Sequence, residues 1–365
     1  MRIFLAGGGT GGATAPVLAV AQALFSLDAN AQFFLVASRG VEKKMLADLE
    51  LPLTYLSIPA GKWRRYFSIM NFLDLFRTAA GFLKSIYLIR KYRPTAIFGA
   101  GSFVQVPLTY AGFVLCVPIV IHQPDLETLL STRLVAPIAR AVTVSFTTSG
   151  KNLPEFSGLF KKIAKSKIHV TGNPVRRDIF GGTKSEAKKI FGLNSDFPVV
   201  LVMGGSQGSA RINELVVAAA PELVKYVQII HVTGHSPRRA RGFGHPHYHA
   251  CEYLSENLKH AYAVADFVIC RAGMSTITEL AALKLPAIVI PLPRSAQEAN
   301  ARLLVFTGSA VVAQEEFLNP EFLVSLTRKI LWQAEAVRLL KDNIGRLLPP
   351  NANKKIADII LKSHD

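Results

Sequence analysis

The same local pattern is written twice in this chain: an apolar run, a glycine cluster, and a helix-forming stretch. It opens the sequence as "MRIFLAGGGTGGATAPVLAVAQAL" and returns as "FPVVLVMGGSQGSARINELVVAAA". In the second copy Val199–Met203 reads as a buried strand, Gly204, Gly205 and Gly208 as the turn, and residues 213–220 as helix. A strand that feeds a helix is the building unit of parallel sheets, because parallel neighbours need a crossover between them. Short apolar runs continue the rhythm after each copy: "AQFFLVAS", "AIFGAGSF" and "PIVIHQ", then "VQIIHVTG", "DFVICRAG" and "PAIVIPLP". Each half therefore reads as an open α/β domain. With 365 residues, 50% of them hydrophobic, the chain has material for two cores. The expected domains are 1–171 and 172–343, hinged at the turn through Gly172 and Pro174, with 344–365 a helix returning to the first.

Several function classes fall away. Gly7, Gly9 and Gly12 fit the dinucleotide fingerprint G-x-G-x-x-G, but that reading needs an acidic residue after the second strand to hold a ribose. Arg39 follows "QFFLVAS" instead. The three cysteines, Cys116, Cys251 and Cys270, are scattered and form no disulfide or zinc pattern. "HPHYH" (His245 to His249) reads as a solvated loop rather than a metal site, and no cofactor or metal is expected. The longest apolar stretch, Leu108 to Ile121, is short for a membrane span and is broken by Gly112 and Pro118.

The net charge of +17 weighs most on the N-terminal half and asks for an anionic partner. No aromatic stacking module accompanies it, so nucleic acid is not expected. The segment Pro59 to Arg93 interleaves Trp63, Phe67, Phe72 and Phe76 with Arg64 and Arg65. That mixture is the composition of a surface lying on anionic lipid.

"GGGTGG", "GNPVR", "GGSQG", "HVTG", "CRAGMSTITEL" and "QEANA" stand in the order and spacing of the MurG family. These are the UDP-N-acetylglucosamine:N-acetylmuramyl-(pentapeptide) pyrophosphoryl-undecaprenol N-acetylglucosaminyltransferases, and the resemblance covers nearly the whole chain. It implies a GT-B fold, two facing Rossmann-like domains with the active site in the cleft. The implied reaction is inverting transfer of GlcNAc from UDP-GlcNAc to the MurNAc C4 hydroxyl of lipid I, at the cytoplasmic face of the cell membrane. Cell-wall synthesis proteins are implied as further partners. On the donor side the resemblance points to Thr10, Gly11, Gly12, Arg176, Gly205, Ser206, Gln207, Gly208, Leu254, Met274, Ser275 and Thr276, with Glu279 on the ribose and Gln297 and Asn300 on the sugar. A glycine turn opening a helix suits a diphosphate, because free backbone N–H groups and the helix dipole face the anion. Arg176 is implied beside that diphosphate, where it offsets charge on the departing UDP as a metal does in other transferases. No D-x-D pair occurs in the sequence. On the acceptor side stand Gly9, Thr10, Gly11, Gly101, Ser102, Phe103 and Asp125. Ser102 and Phe103 depart from the glycine and tyrosine usual in the family.

A second departure touches the chemistry. Family members place a histidine directly after "GGTGG"; this chain has Ala13, whose methyl group takes no proton. Three accounts stay open: an inactive or repurposed homologue, an engineered variant, or a base supplied elsewhere. For the last, "HQPD" offers Asp125 as candidate base with His122 to orient it. A transferase with another lipid-linked acceptor, and a silent UDP-sugar-binding protein, are the competing functions.

Overall fold

The computed structural model describes residues 1–8, 11–38, 51–61, 69–146, 163–193, 196–205, 207–234 and 243–363. It divides into two compact units: Met1–Arg176 with Pro349–Asp365, and Arg177–Leu348.

Unit 1 is built on a seven-stranded sheet of order β3-β2-β1-β4-β5-β6-β7, every pairing parallel. The strands are β1 (Arg2–Ala6), β2 (Gln32–Ala37), β3 (Leu53–Ser57), β4 (Ala96–Gly99), β5 (Ile119–Gln123), β6 (Ala141–Val144) and β7 (Ile168–Val170). Its first helices are α1 (Gly11–Leu27), α2 (Ile69–Tyr92), α3 (Gln105–Val114) and α4 (Leu130–Val135). Alternate residues of β1 serve opposite faces, which is why the strand reads as an unbroken apolar run. Phe4 and Ala6 pack with Leu88, Ile89 and Leu108 on one side. Ile3 and Leu5 pack with Val17, Val20 and Leu24 on the other.

Unit 2 carries α5 (Lys184–Phe191), α6 (Ala210–Leu223), α7 (Leu258–Val264), α8 (Met274–Leu283), α9 (Gln297–Phe306), α10 (Pro320–Trp332) and α11 (Ala334–Gly345). Its six-stranded parallel sheet has the order β10-β9-β8-β11-β12-β13. These strands are β8 (Val199–Met203), β9 (Gln228–Val232), β10 (Tyr248–Cys251), β11 (Phe267–Cys270), β12 (Ala287–Val289) and β13 (Val311–Val312). Val200, Ile229, Phe267 and Ile288 form a core with Ile212, Val216 and Leu323. Helix starts follow side-chain capping: Ser209 accepts from the Ile212 N–H, Thr183 from Glu186, and Asn319 from Phe322 with Pro320 just inside.

The last helix, α12 (Ala352–Lys362), belongs to unit 1 and packs on α1. Ile356 and Ile360 are buried in the core that holds Ile3 and Leu5. Each such isoleucine stabilises the unit by about 2 kcal/mol.

Candidate active site

In each sheet one strand has its sequence neighbour on one side and a later strand on the other. In unit 1 it is β1, between β2 and β4; in unit 2 it is β8, between β9 and β11. Chain paths diverge there, so the carboxyl ends of these strands open a crevice, the usual ligand position in open α/β sheets. Both glycine loops singled out in the sequence leave from those two strands.

In unit 2 the loop after β8 contains Gly205, Gln207 and Gly208; Ser206 lies outside the described residues. Gly208 (φ +76°) and Gly234 (φ +72°) press against each other, and a Cβ on Gly208 would stand 2.4 Å from the Thr233 carbonyl oxygen. The "GGSQG" and "HVTG" turns are thus a single packed unit in which neither glycine tolerates a side chain. Beneath them His231 is fully buried. Its Nε2 faces Asn213 Oδ1 at 3.1 Å, while the Asn213 amide donates to the Thr233 carbonyl. Asn213 Oδ1 only accepts, so the ring hydrogen lies on Nε2, and Nδ1 takes the Tyr248 hydroxyl at 2.6 Å. Burial pushes His231 down to about 4 and Tyr248 up to about 12. Both are neutral structural groups that hold the two turns.

Helix α8 begins at Met274 after Gly273, and no side chain caps it. Met274 is buried, with Ser275 and Thr276 half-buried in the same first turn. The turn follows the end of β11 by three residues, and its backbone N–H groups carry the positive end of the helix dipole. Glu279, also buried, accepts a 2.7 Å hydrogen bond from the Tyr262 hydroxyl. Asn300 is fully buried and donates to the Ala272 carbonyl at 3.0 Å, bringing α9 against this turn. Gln297 accepts from the Leu292 N–H at 3.0 Å. The two carboxamides expected on sugar hydroxyls therefore both bond to the unit's own backbone here. Leu254, buried, follows β10.

One residue of this cluster had no role in the sequence reading. Arg271, inside "CRAG", donates to Ser209 Oγ at 2.7 Å and to the carbonyls of Ile290 and Pro291, and pairs with Glu315. It ties the ends of β11 and β12 to the start of α6. Its only sequence signal was an arginine closing an apolar strand.

In unit 1, Gly9 and Thr10 lie outside the described residues, and Gly11 and Gly12 open α1. The loop after β4 holds Gly101, Ser102 and Phe103. Ser102 Oγ donates to the Gly7 carbonyl at 3.1 Å, so the serine that departs from the family pattern joins the two glycine loops. Phe103 packs half-buried against the core beside α3. Asp125 is half-buried in the turn after β5. That turn is organised by Gln123, which donates to the carbonyls of Asp125 and Glu127, both at 2.8 Å, and accepts from the Leu129 N–H. Ala13 sits half-buried in the first turn of α1.

The expectation that His122 orients Asp125 is corrected. His122 is fully buried; Nδ1 meets Thr143 Oγ1 at 2.9 Å and Nε2 meets Asn173 Oδ1. Burial holds it down at about 4, outweighing the opposing hydrogen bonds from Asn173 and Thr143. With both ring nitrogens engaged, it fastens β5 and β6 to the segment leading to Arg176.

Trp63, Arg64, Arg65 and Phe67 lie outside the described residues. Phe72 and Phe76 are on α2, 65% and 60% exposed, with rings 5.2 Å apart. Leu75, Leu83 and Tyr87 extend this exposed apolar surface, and Phe113 and Val114 add to it from the adjacent α3. Asp74, the single acidic residue of α2, is buried and paired with Arg77. No helix among the described residues is long and apolar enough to cross a membrane. None of them form a group of three His, Cys, Asp or Glu able to hold a metal ion.

Two parallel α/β units with glycine turns at both switch points are the architecture of GT-B glycosyltransferases. The glycosyltransferase family 28 N-terminal domain matches residues 3–144, and the C-terminal domain of the same family matches 199–347. The UDP-N-acetylglucosamine--N-acetylmuramyl-(pentapeptide) pyrophosphoryl-undecaprenol N-acetylglucosamine transferase of Clostridium kluyveri is 34% identical over 333 residues, 90% of this chain and 91% of that relative. The protein of the same name from Legionella pneumophila is 31% identical over 98% of this chain and 96% of its own. Among solved structures, MurG of Acinetobacter baumannii superposes with a TM-score of 0.69 at 22% identity, covering 99% of both chains. The glycotransferase of kitacinnamycin reaches 0.72 at 14% identity, covering 99% of this chain and 98% of that one. The chain belongs to the MurG family of family 28 glycosyltransferases.

Proposed function

We propose that this protein transfers GlcNAc from UDP-GlcNAc to the MurNAc C4 hydroxyl of lipid I, inverting the anomeric centre and yielding lipid II and UDP. The observation that carries the reading is the donor cluster of unit 2. There an uncapped helix start (Met274–Thr276) follows β11, Gly205 and Gly208 follow the neighbouring β8, and a buried carboxylate (Glu279) lies in the second turn of the same helix. The helix start and the glycine turn offer amides to a diphosphate, and a carboxylate accepts from a ribose diol. The names of the curated relatives supply the substrates.

In this mechanism Asp125 takes the proton from the C4 hydroxyl as the oxygen attacks the anomeric carbon. The bond from that carbon to the donor diphosphate breaks, and UDP departs with the electron pair. Arg176 and the backbone amides offset the charge that develops on it. Gln123 supports this assignment by fixing the turn that carries Asp125. The Gly7 and Gly101 loops, joined through Ser102, serve the lipid-linked diphosphate. The exposed apolar face of α2 and α3 rests on the anionic cytoplasmic surface of the membrane, where the acceptor is anchored.

The test is transfer of labelled GlcNAc from UDP-GlcNAc to lipid I, with and without EDTA. Turnover that survives EDTA and falls at least about 100-fold in Asp125→Asn supports the reading, a general base being worth about that much. Full turnover in D125N removes Asp125 as base. Ala13 favours one second reading, a silent UDP-sugar-binding protein. Tight UDP-GlcNAc binding with no transfer, restored by Ala13→His, would establish that reading.

A further inference from the structure

We infer that Asn353, on the C-terminal helix, is a positioning residue for Arg176 and acts through the Val175 peptide. The inference rests on the proposed role of Arg176 at the donor diphosphate. Asn353 lies in the first turn of α12, 178 positions from Val175. Its Oδ1 accepts from the Val175 N–H at 2.9 Å, and its Nδ2 donates to the Val175 carbonyl at 2.7 Å. Nδ2 also reaches the Ala19 carbonyl of α1 at 3.3 Å. A carboxamide presents an acceptor and a donor side by side and so pairs with one residue's N–H and C=O as a neighbouring strand would. Aspartate lacks the donor, and alanine lacks both.

The rest of the segment is held from other sides. Asn173 Oδ1 receives His122 Nε2 and the Ser145 hydroxyl, the latter at 2.8 Å. Gly172 adopts φ +86°, and a Cβ there would stand 2.5 Å from the Pro349 carbonyl oxygen. Pro174 fixes its own φ between these contacts. The backbone from Gly172 to Val175 is therefore clamped by β5, the residue after β6, α12 and the approach to α12. Arg176 departs from the last clamped peptide, at the point where the chain passes into unit 2. The three hydrogen bonds of Asn353 set the direction of that departure. A group that stabilises a departing diphosphate loses much of its effect when displaced by ~1 Å.

The experiment is a double-mutant cycle in the full chain: wild type, Asn353→Ala, Arg176→Ala and the double variant. Two readouts are taken, kcat and KM for GlcNAc transfer to lipid I and the UDP dissociation constant by calorimetry. N353A is expected to lower kcat/KM or UDP affinity about ten-fold in the wild-type background, equivalent to ~1.4 kcal/mol. In the R176A background it should cost less than about two-fold, because residues that act as one unit are not additive. Asn353→Asp, which keeps only the acceptor, should fall between wild type and N353A. It also serves if N353A fails to fold, as judged by thermal melting. Equal losses in both backgrounds, or no loss in the wild-type background, overturn the inference. Failure of the underlying reading is separate: R176A alone then leaves both transfer and UDP affinity unchanged.

Discussion

Stability should fall on mild acidification because each unit buries a neutral histidine, and His231 in unit 2 gives the more direct test. Its pKa is lowered from 6.5 to about 4 by burial. The unfolded chain therefore binds more protons than the folded one between those values, and stability drops as pH falls through that window. It levels off above the upper value and below the lower one. Linkage between pH 7 and 5 gives a loss of about 2 kcal/mol for one such group. Replacing His231 with Gln removes the titration whatever it does to absolute stability. The assay is urea unfolding at pH 7 and pH 5 of wild type and His231→Gln, both carrying Trp63→Phe. Trp332 then reports unit 2 alone, since the chain has two tryptophans. The expected result is a pH-dependent loss smaller by about 2 kcal/mol in H231Q. An unchanged pH dependence would refute the assignment of His231 as a buried neutral ring between Tyr248 and Asn213.

Other outcomes follow from single contacts. Gly208→Ala forces a Cβ onto the Thr233 carbonyl at positive φ; it should destabilise unit 2 by at least ~2 kcal/mol and abolish UDP binding, read by melting and calorimetry. Tyr262→Phe removes the hydrogen bond to Glu279; a weakening of UDP affinity by about ten-fold is expected, the scale of a hydrogen bond to a charged group. Phe72→Ser with Phe76→Ser should reduce flotation with anionic liposomes while leaving the melting temperature within a few degrees, because both rings are exposed. Flotation of the unaltered protein should weaken as salt rises, and salt-independent exclusion from the vesicles would contradict the proposed membrane surface.

The parallel α/β halves were legible because β1 and β8 carry a continuous apolar run straight into glycines, a pattern that few other elements produce. The residues proposed to meet the donor were legible through motifs that each occupy one short stretch of chain: Gly205 and Gly208 after β8, then Met274 and Glu279 in the first two turns of α8. What stayed hidden were side chains whose meaning lies in a distant partner. His122 looked like a site residue because it precedes Asp125, yet its partner is Asn173, 51 positions on. Asn353 stands in an ordinary amphipathic helix, and nothing local indicates that it grips Val175. Arg271 reads as a charge ending a strand until Ser209 and Glu315 arrive from elsewhere in the chain. Ser102 looked like a flaw in the family pattern and turned out to bond the neighbouring loop. Local periodicity reports which way a side chain faces; it carries no information on what meets it there.

The return of α12 to the first unit sets an order of completion. A ribosome making this chain delivers all of β1 to β7 early, yet Ile356, Ala357 and Ile360, which close one face of that sheet, emerge only after the entire second unit. Until then the groove beside Ile3 and Val17 stays open to water. The half that begins first is therefore the half that matures last.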